Sequence, residues 1–184
     1  FSLYAGVEAA WALASLFTDL QLWLGRGDPS LSLHNSMLFL TLMAPLLLLF
    51  AVRSLGVRNR AADAAAVIGL AAVAALGVPL YRGEVVTPLG LGPSGTALVE
   101  VHPLGMAAAA LVAVLVAWAF LLLLRARRAP AQPFMIVGVV MLFGGLVDGI
   151  FSPPFPLLTI TNTASVALIG YAVTRRQVFN PLRE

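Results

Sequence analysis

Six long stretches of this chain carry almost no charged residues, and this pattern limits its possible folds more than any other feature. A helix needs about 20 largely apolar residues to cross the hydrocarbon core of a membrane. Because lipid offers no partners to backbone groups, and the alternating pattern of a membrane barrel is absent, each stretch is predicted to be helical. The expected fold is an all-α, polytopic integral membrane bundle of about six transmembrane helices, with spans at about 1–24, 32–55, 61–80, 104–124, 133–151 and 156–174.

Composition supports a lipid environment. Of the 184 residues, 60% are hydrophobic and 10% are charged, whereas soluble domains are about a quarter charged. A water-soluble fold of this size could not bury that much apolar surface, so the first expected partner is the lipid bilayer. The pI near 10.2 would suggest nucleic acid in a soluble protein. Here the basic residues lie in short loops beside apolar stretches, and no nucleic-acid partner is expected.

The distribution of arginine predicts the orientation of the bundle. All eleven basic residues are arginine, and nine of them would lie on one side of the membrane, against Arg26 and Arg82 on the other. By the positive-inside rule, the side with nine arginines is cytoplasmic. Residues 175–184 are therefore expected to begin a linker on the cytoplasmic side. Further sequence is expected beyond one or both ends, and an odd helix before Phe1 would place the true N-terminus outside.

The one long connection, residues 81–103, would lie on the outer face. It contains several glycine and proline turn signals and two short runs, 85–86 and 97–101, that favour β structure. This pattern predicts a small hairpin or flap. A functional loop and a simple ordered lid over the bundle remain equally open interpretations.

Few residues could carry chemistry. His34 and His102 would lie near the outer ends of their spans, where they could ligate a porphyrin or a metal ion, or simply form hydrogen bonds at the interface. The chain has no cysteine, and no nucleotide-binding, nucleophile-elbow or zinc-protease motif occurs. We therefore assign no catalytic residues, no cofactor and no metal, and expect that the chain is not an enzyme.

Polar residues inside predicted spans give the better site candidates, because charge within a membrane is costly unless it is paired or faces a cavity. Glu8 lies within the first span, where it could sense a proton or ligand or could bond a neighbouring helix. Asp148 lies within the Gly145–Gly149 pair, a spacing that favours close helix packing. Asn162 and Thr163 belong to a polar stretch of the sixth span, and could pack helices together or line a cavity.

Three segments resemble the seven-helix membrane sensor region at the N-terminus of some bacterial histidine kinases. The first combines residues 10–13 with residues 37–52, which are similar to a helix pair of that family. The second runs from residue 92 to 103, into the fourth span. The third, residues 167–184, resembles the exit of the last family helix into its cytoplasmic linker. The resemblance implies a bacterial inner-membrane protein in which this chain corresponds to helices two to seven. Residues 1–184 themselves include neither the family's first helix nor a kinase, PAS or GAF domain.

Two classes of function are consistent with these patterns. In the first, the chain is a non-catalytic sensory domain in which a stimulus shifts the helices and the sixth span moves the linker. In the second, it is an accessory or scaffold subunit of a larger bacterial membrane complex, respiratory or photosynthetic. In either case the expected protein partners are other membrane subunits or a second copy of this chain.

Overall fold

The structure, a computed structural model, describes residues 2–54, 59–92, 95–125, 136–140 and 157–175. These residues form six helices and one β-hairpin. In chain order the elements are α1 (Ser2–Leu24), α2 (Ser30–Ser54), α3 (Arg60–Tyr81), β1 (Val86–Leu91), β2 (Ala97–Val101), α4 (Pro103–Arg125), α5 (described over 136–140) and α6 (Leu157–Arg175).

Three of the helices are long and apolar enough to cross a membrane: α2 over 24 residues, α3 over 22 and α4 over 23. Six such spans were expected, so the described residues support half of that number. α1 has 23 residues, but Glu8 and Asp19 lower its mean hydropathy. The expected fifth span, 133–151, lies mostly outside the described residues.

The bundle has two ends, one beside the β-hairpin and one where arginines follow the helices. At the hairpin end, the Asp28 carboxylate accepts a hydrogen bond from the Ser30 N–H at 2.9 Å, and so caps α2. At the arginine end, Asn59 caps α3 by accepting from the Ala62 N–H at 3.2 Å. The side chains of Arg53 and Asp63 approach to 3.8 Å there, between α2 and α3.

α2 lies at the centre of the bundle and packs against α1, α3 and α4. Leu48 and Ala51 of α2 are fully buried. α3 approaches closely because Gly69 has no side chain: a Cβ there would lie 2.8 Å from Leu115 Cδ1 and 3.1 Å from Pro45 Cβ. We call this region the α2 core, and define it as the buried apolar residues where α2 contacts α3 and α4.

Large apolar side chains also cover the outside of the bundle. Leu13 and Phe17 of α1, Ile68 of α3 and Val114 of α4 are all more than half exposed. A water-soluble monomer rarely exposes large contiguous apolar patches, whereas a bundle in lipid presents such side chains to acyl chains. The distribution is therefore that of a membrane-embedded protein.

The hairpin expected within residues 81–103 is present, and it adds two strands to an otherwise helical fold. β1 and β2 are antiparallel, with Val86 opposite Val101 and an irregularity between Pro88 and Gly90. The base of the hairpin is closed where the His102 N–H donates to the Val85 carbonyl at 3.0 Å, next to the start of α4. Gly105 of α4 permits this contact, because a Cβ there would lie 2.5 Å from the Val85 oxygen.

Candidate functional site: buried polar groups between α1 and α6

Three polar side chains are buried where α1 meets α6. Tyr4 and Glu8, one helical turn apart on α1, are 2% and 6% exposed, and Ser165 of α6 is fully buried. The spacing of four residues places Tyr4 and Glu8 on one face of α1. We call these three residues the polar joint.

Within the described residues, the groups of the polar joint have no hydrogen-bond partner: the Tyr4 hydroxyl, one Glu8 carboxylate oxygen and the Ser165 hydroxyl are all buried and unpaired. The Tyr4 hydroxyl faces Ser165 and lies within electrostatic range of Glu8, but the Tyr4–Ser165 geometry falls short of a hydrogen bond. A buried polar group without a partner costs about 1–3 kcal/mol, and more if it is charged. The joint therefore has hydrogen-bonding capacity that this arrangement leaves unused.

α5 approaches α6 beside the same joint. A Cβ on Gly138 would lie 2.8 Å from Ile169 Cγ1 and 3.2 Å from the Ser165 carbonyl oxygen. Val139 and Ile169 are also buried. α6 thus contacts both α1 and α5 near Ser165, so a change in either contact would act on α6.

The predicted intramembrane candidates have different positions. Glu8 is buried and forms part of the polar joint, whereas Thr163 is exposed on α6. Asn162 lies in α6, but its side chain is outside the described residues, and Asp148 lies outside them altogether. Of the four candidates, the structure therefore places only Glu8 at the joint.

The two histidines contact separate neighbours. His34 is buried, and its ring lies edge-on to Tyr81 with centroids 5.8 Å apart. The Tyr81 hydroxyl in turn donates to Asn35. His102 Nε2 lies 3.4 Å from Thr87 Oγ1. In the part of the chain that the structure describes, no group of three or more His, Cys, Asp or Glu side chains could hold a metal ion.

Two residues with buried or long-range polar contacts, Tyr4 and Asp19, were not among the site candidates from the sequence. Tyr4 was not singled out, although its position four residues before Glu8 was a usable signal. Asp19 was not singled out either, and its carboxylate accepts a hydrogen bond from the Ala97 N–H of β2 at 2.7 Å. No hydropathy pattern predicts the contact between Asp19 and Ala97, since it joins residues far apart in the chain.

Chemically, the joint offers one carboxyl and two hydroxyls in an apolar surrounding, which suits a change of proton or hydrogen-bond partner better than bond cleavage.

Comparison of the chain with protein-family models, with curated proteins and with solved structures finds no match.

Proposed function

We propose that this chain is the non-catalytic signal-input domain of a bacterial inner-membrane sensor. α1 to α6 form six spans, and α6 passes the signal to residues 175–184 on the cytoplasmic side. The resemblance of residues 167–184 to the exit of a sensor kinase's last helix supports this proposal. The output domain would lie outside this chain.

The observation that carries the proposal is the set of buried polar groups at the polar joint that have no partner in the described part of the chain. Ionisable groups inside membranes are rare, and they usually mark a functional position. A joint whose groups are unpaired in one arrangement can gain hydrogen bonds in another. Because it includes Ser165, such a change would act directly on α6, the helix that leads into the linker.

A signal requires two arrangements of this joint that a stimulus binds with different affinity, because equal affinity would shift nothing. In one arrangement Glu8 and Tyr4 stay unpaired against Ser165. In the other, a ligand, a proton or a displaced polar side chain of α6 satisfies them. The shift of α6 then moves Arg175 relative to the inner headgroups, where each basic residue gains about 1 kcal/mol from anionic lipid.

The proposed orientation has a direct test, because the chain contains no cysteine. Single cysteines at Arg58, Arg127 and Arg183 should resist an impermeant thiol reagent in intact cells, since all three lie on the cytoplasmic side. A cysteine at Thr96, at the tip of the hairpin, should react as the positive control. Labelling of the Arg127 variant from outside would contradict both the orientation and the number of spans.

The sensory role is tested by output from the complete gene product in its native cells. Glu8→Gln keeps the shape of the side chain but cannot be ionised. It should make the signalling output constitutively high or constitutively low, independent of the stimulus. The matched control is Glu84→Gln, which removes an exposed carboxyl at the hairpin end. On α6, Asn162→Leu should alter output more than Ala167→Leu, since Ala167 is exposed, while interhelical bonds in membranes contribute about 0.6 kcal/mol.

The opposing outcomes are equally definite. If Glu8→Gln and Asn162→Leu leave output unchanged, and the chain can be cut at Arg176 without effect, α6 serves only for packing. If the same variants leave output unchanged but release other membrane subunits during purification, the chain is an accessory or scaffold subunit instead.

A further inference from the structure

A second site lies at the hairpin end, away from the polar joint. An open cavity of about 230 Å³ is formed between α1 and α2, and it is lined by Ala14, Phe17, Gln21, Asp28, Leu31, Ser32 and Asn35. The α1 residues recur at spacings of three and four, so they share one helical face. The cavity is therefore built by facing stripes of two helices and the turn that joins them.

The polar part of the lining presents hydrogen-bond donors and one negative charge. Ser32 Oγ donates to Gln21 Oε1 at 2.7 Å, and the Tyr81 hydroxyl donates to Asn35 Oδ1. Both amide oxygens are thus occupied, while the Gln21 and Asn35 NH₂ groups have no partner among the described residues. Asp28 is fully exposed, and its hydrogen bonds with the side chain and N–H of Ser30 lower its pKa. Its carboxylate is therefore charged at neutral pH.

The apolar part of the lining faces the surroundings of the bundle. Phe17 and Leu31 are 58% and 64% exposed, and Trp23, near the end of α1, is 73% exposed. Tryptophan is enriched at the boundary between the hydrocarbon core and the headgroups. The cavity thus has an apolar wall open to acyl chains and a polar wall near the level of lipid headgroups.

We infer that this cavity is a binding site for the headgroup of an aminophospholipid such as phosphatidylethanolamine. The primary ammonium pairs with the Asp28 carboxylate. The amide NH₂ groups of Gln21 and Asn35 donate to phosphate or ester oxygens, and an acyl chain lies along Phe17 and Leu31. The lining contains a carboxylate and no basic side chain, which favours a headgroup with a cation over a purely anionic one. This site is independent of the sensory role proposed above.

The test is lipid retention by the purified chain, measured by native mass spectrometry after exchange into micelles with equal amounts of dioleoyl phosphatidylethanolamine and phosphatidylglycerol. The wild-type chain should retain the ethanolamine lipid preferentially. Asp28→Asn should reduce that preference about threefold, the size expected for a solvent-exposed ion pair. Asparagine also caps helices well, so this variant preserves the start of α2. Glu84→Gln, which removes a carboxyl outside the cavity, should retain the wild-type preference.

A second measurement separates hydrogen bonding by the ammonium from charge alone. Phosphatidylcholine carries the same net charge but has no ammonium N–H, so it should be retained less than phosphatidylethanolamine. Equal retention of the ethanolamine and glycerol lipids by the wild-type chain would overturn the proposal. So would an Asp28→Asn variant whose preference matches the wild type, or the absence of any retained lipid.

Discussion

The α2 core and the polar joint use opposite means to bring helices together. In the α2 core, apolar side chains such as Leu48 and Leu123 are fully or almost fully buried, and Gly69 allows α3 to approach Pro45 and Leu115 closely. At the polar joint, Tyr4, Glu8 and Ser165 are similarly buried, yet the two hydroxyls and one Glu8 oxygen have no partner among the described residues. The first region is held by close packing, whereas the second keeps hydrogen-bonding capacity in reserve.

This difference separates a fixed part of the bundle from an adjustable one. Close-packed interiors change little without a large loss of contact, so α2, α3 and α4 are expected to behave as one rigid unit. A region with unpaired polar groups can gain hydrogen bonds in a different arrangement. The movable contact of the bundle is therefore expected between α1 and α6, and three substitutions test the contrast.

The largest effect is expected from Gly69→Val. Its side chain would collide with the Pro45 ring and with Leu115, and overpacking of this kind costs about 1–3 kcal/mol. We expect a loss near the upper end, about 3 kcal/mol, in the free energy of unfolding in detergent. Gly77→Val is the matched control on the same helix, because no atom lies within 4 Å of a Cβ there. Equal losses for the two variants would mean that the α3 contact is not tightly packed.

A smaller loss is expected from Leu48→Ala. The leucine is fully buried, and such changes in water-soluble cores cost about 2–5 kcal/mol. In lipid the substitution loses packing contacts, but the hydrophobic contribution is small because lipid tails are as apolar as the protein core. A loss of about 2 kcal/mol is therefore expected. The same unfolding measurement on Leu16→Ala, which removes a 62% exposed leucine, should give a much smaller change. A Leu48→Ala variant as stable as wild type would remove the basis for a rigid α2 core.

The smallest effect on stability is expected from Glu8→Gln, although it changes a buried residue. One oxygen of the Glu8 carboxyl has no partner among the described residues, so glutamine breaks no described bond and excludes a buried charge. The free energy of unfolding should stay the same or rise by about 1 kcal/mol. A loss of more than about 2 kcal/mol would show that Glu8 has a stabilising partner, and that the joint is as fixed as the α2 core.

Much of the helical organisation follows from hydropathy alone. The stretch predicted at 32–55 forms α2, Ser30–Ser54, and that at 104–124 forms α4, Pro103–Arg125. These ends were predictable because arginine, proline and capping residues interrupt the apolar runs. The turn signals of residues 81–103 likewise predicted the hairpin.

The arrangement of the helices was not predictable in the same way. Apolar runs of similar composition carry no information about which helix lies at the centre, so the position of α2 is evident only from its contacts. The polar joint depends on a contact between residues 4 and 165, at opposite ends of the chain. Glu8 was recognised because a charge in a span is unusual. The spacing of Tyr4 from Glu8 was also readable in the sequence, whereas the partner of Asp19 is evident only in the structure.

The hydrogen bond from the Ala97 N–H to Asp19 has a consequence for biosynthesis. The two residues are separated by 78 positions, and a membrane protein leaves the ribosome from its N-terminus. Asp19 of α1 can therefore accept this hydrogen bond only after α2, α3 and the hairpin have been synthesised. Contacts of long sequence separation form late because a large loop must close first. The contact between α1 and the hairpin is thus expected to be among the last to form during maturation. Truncated nascent chains that end before residue 97 should therefore leave this end of α1 accessible to proteases and to water.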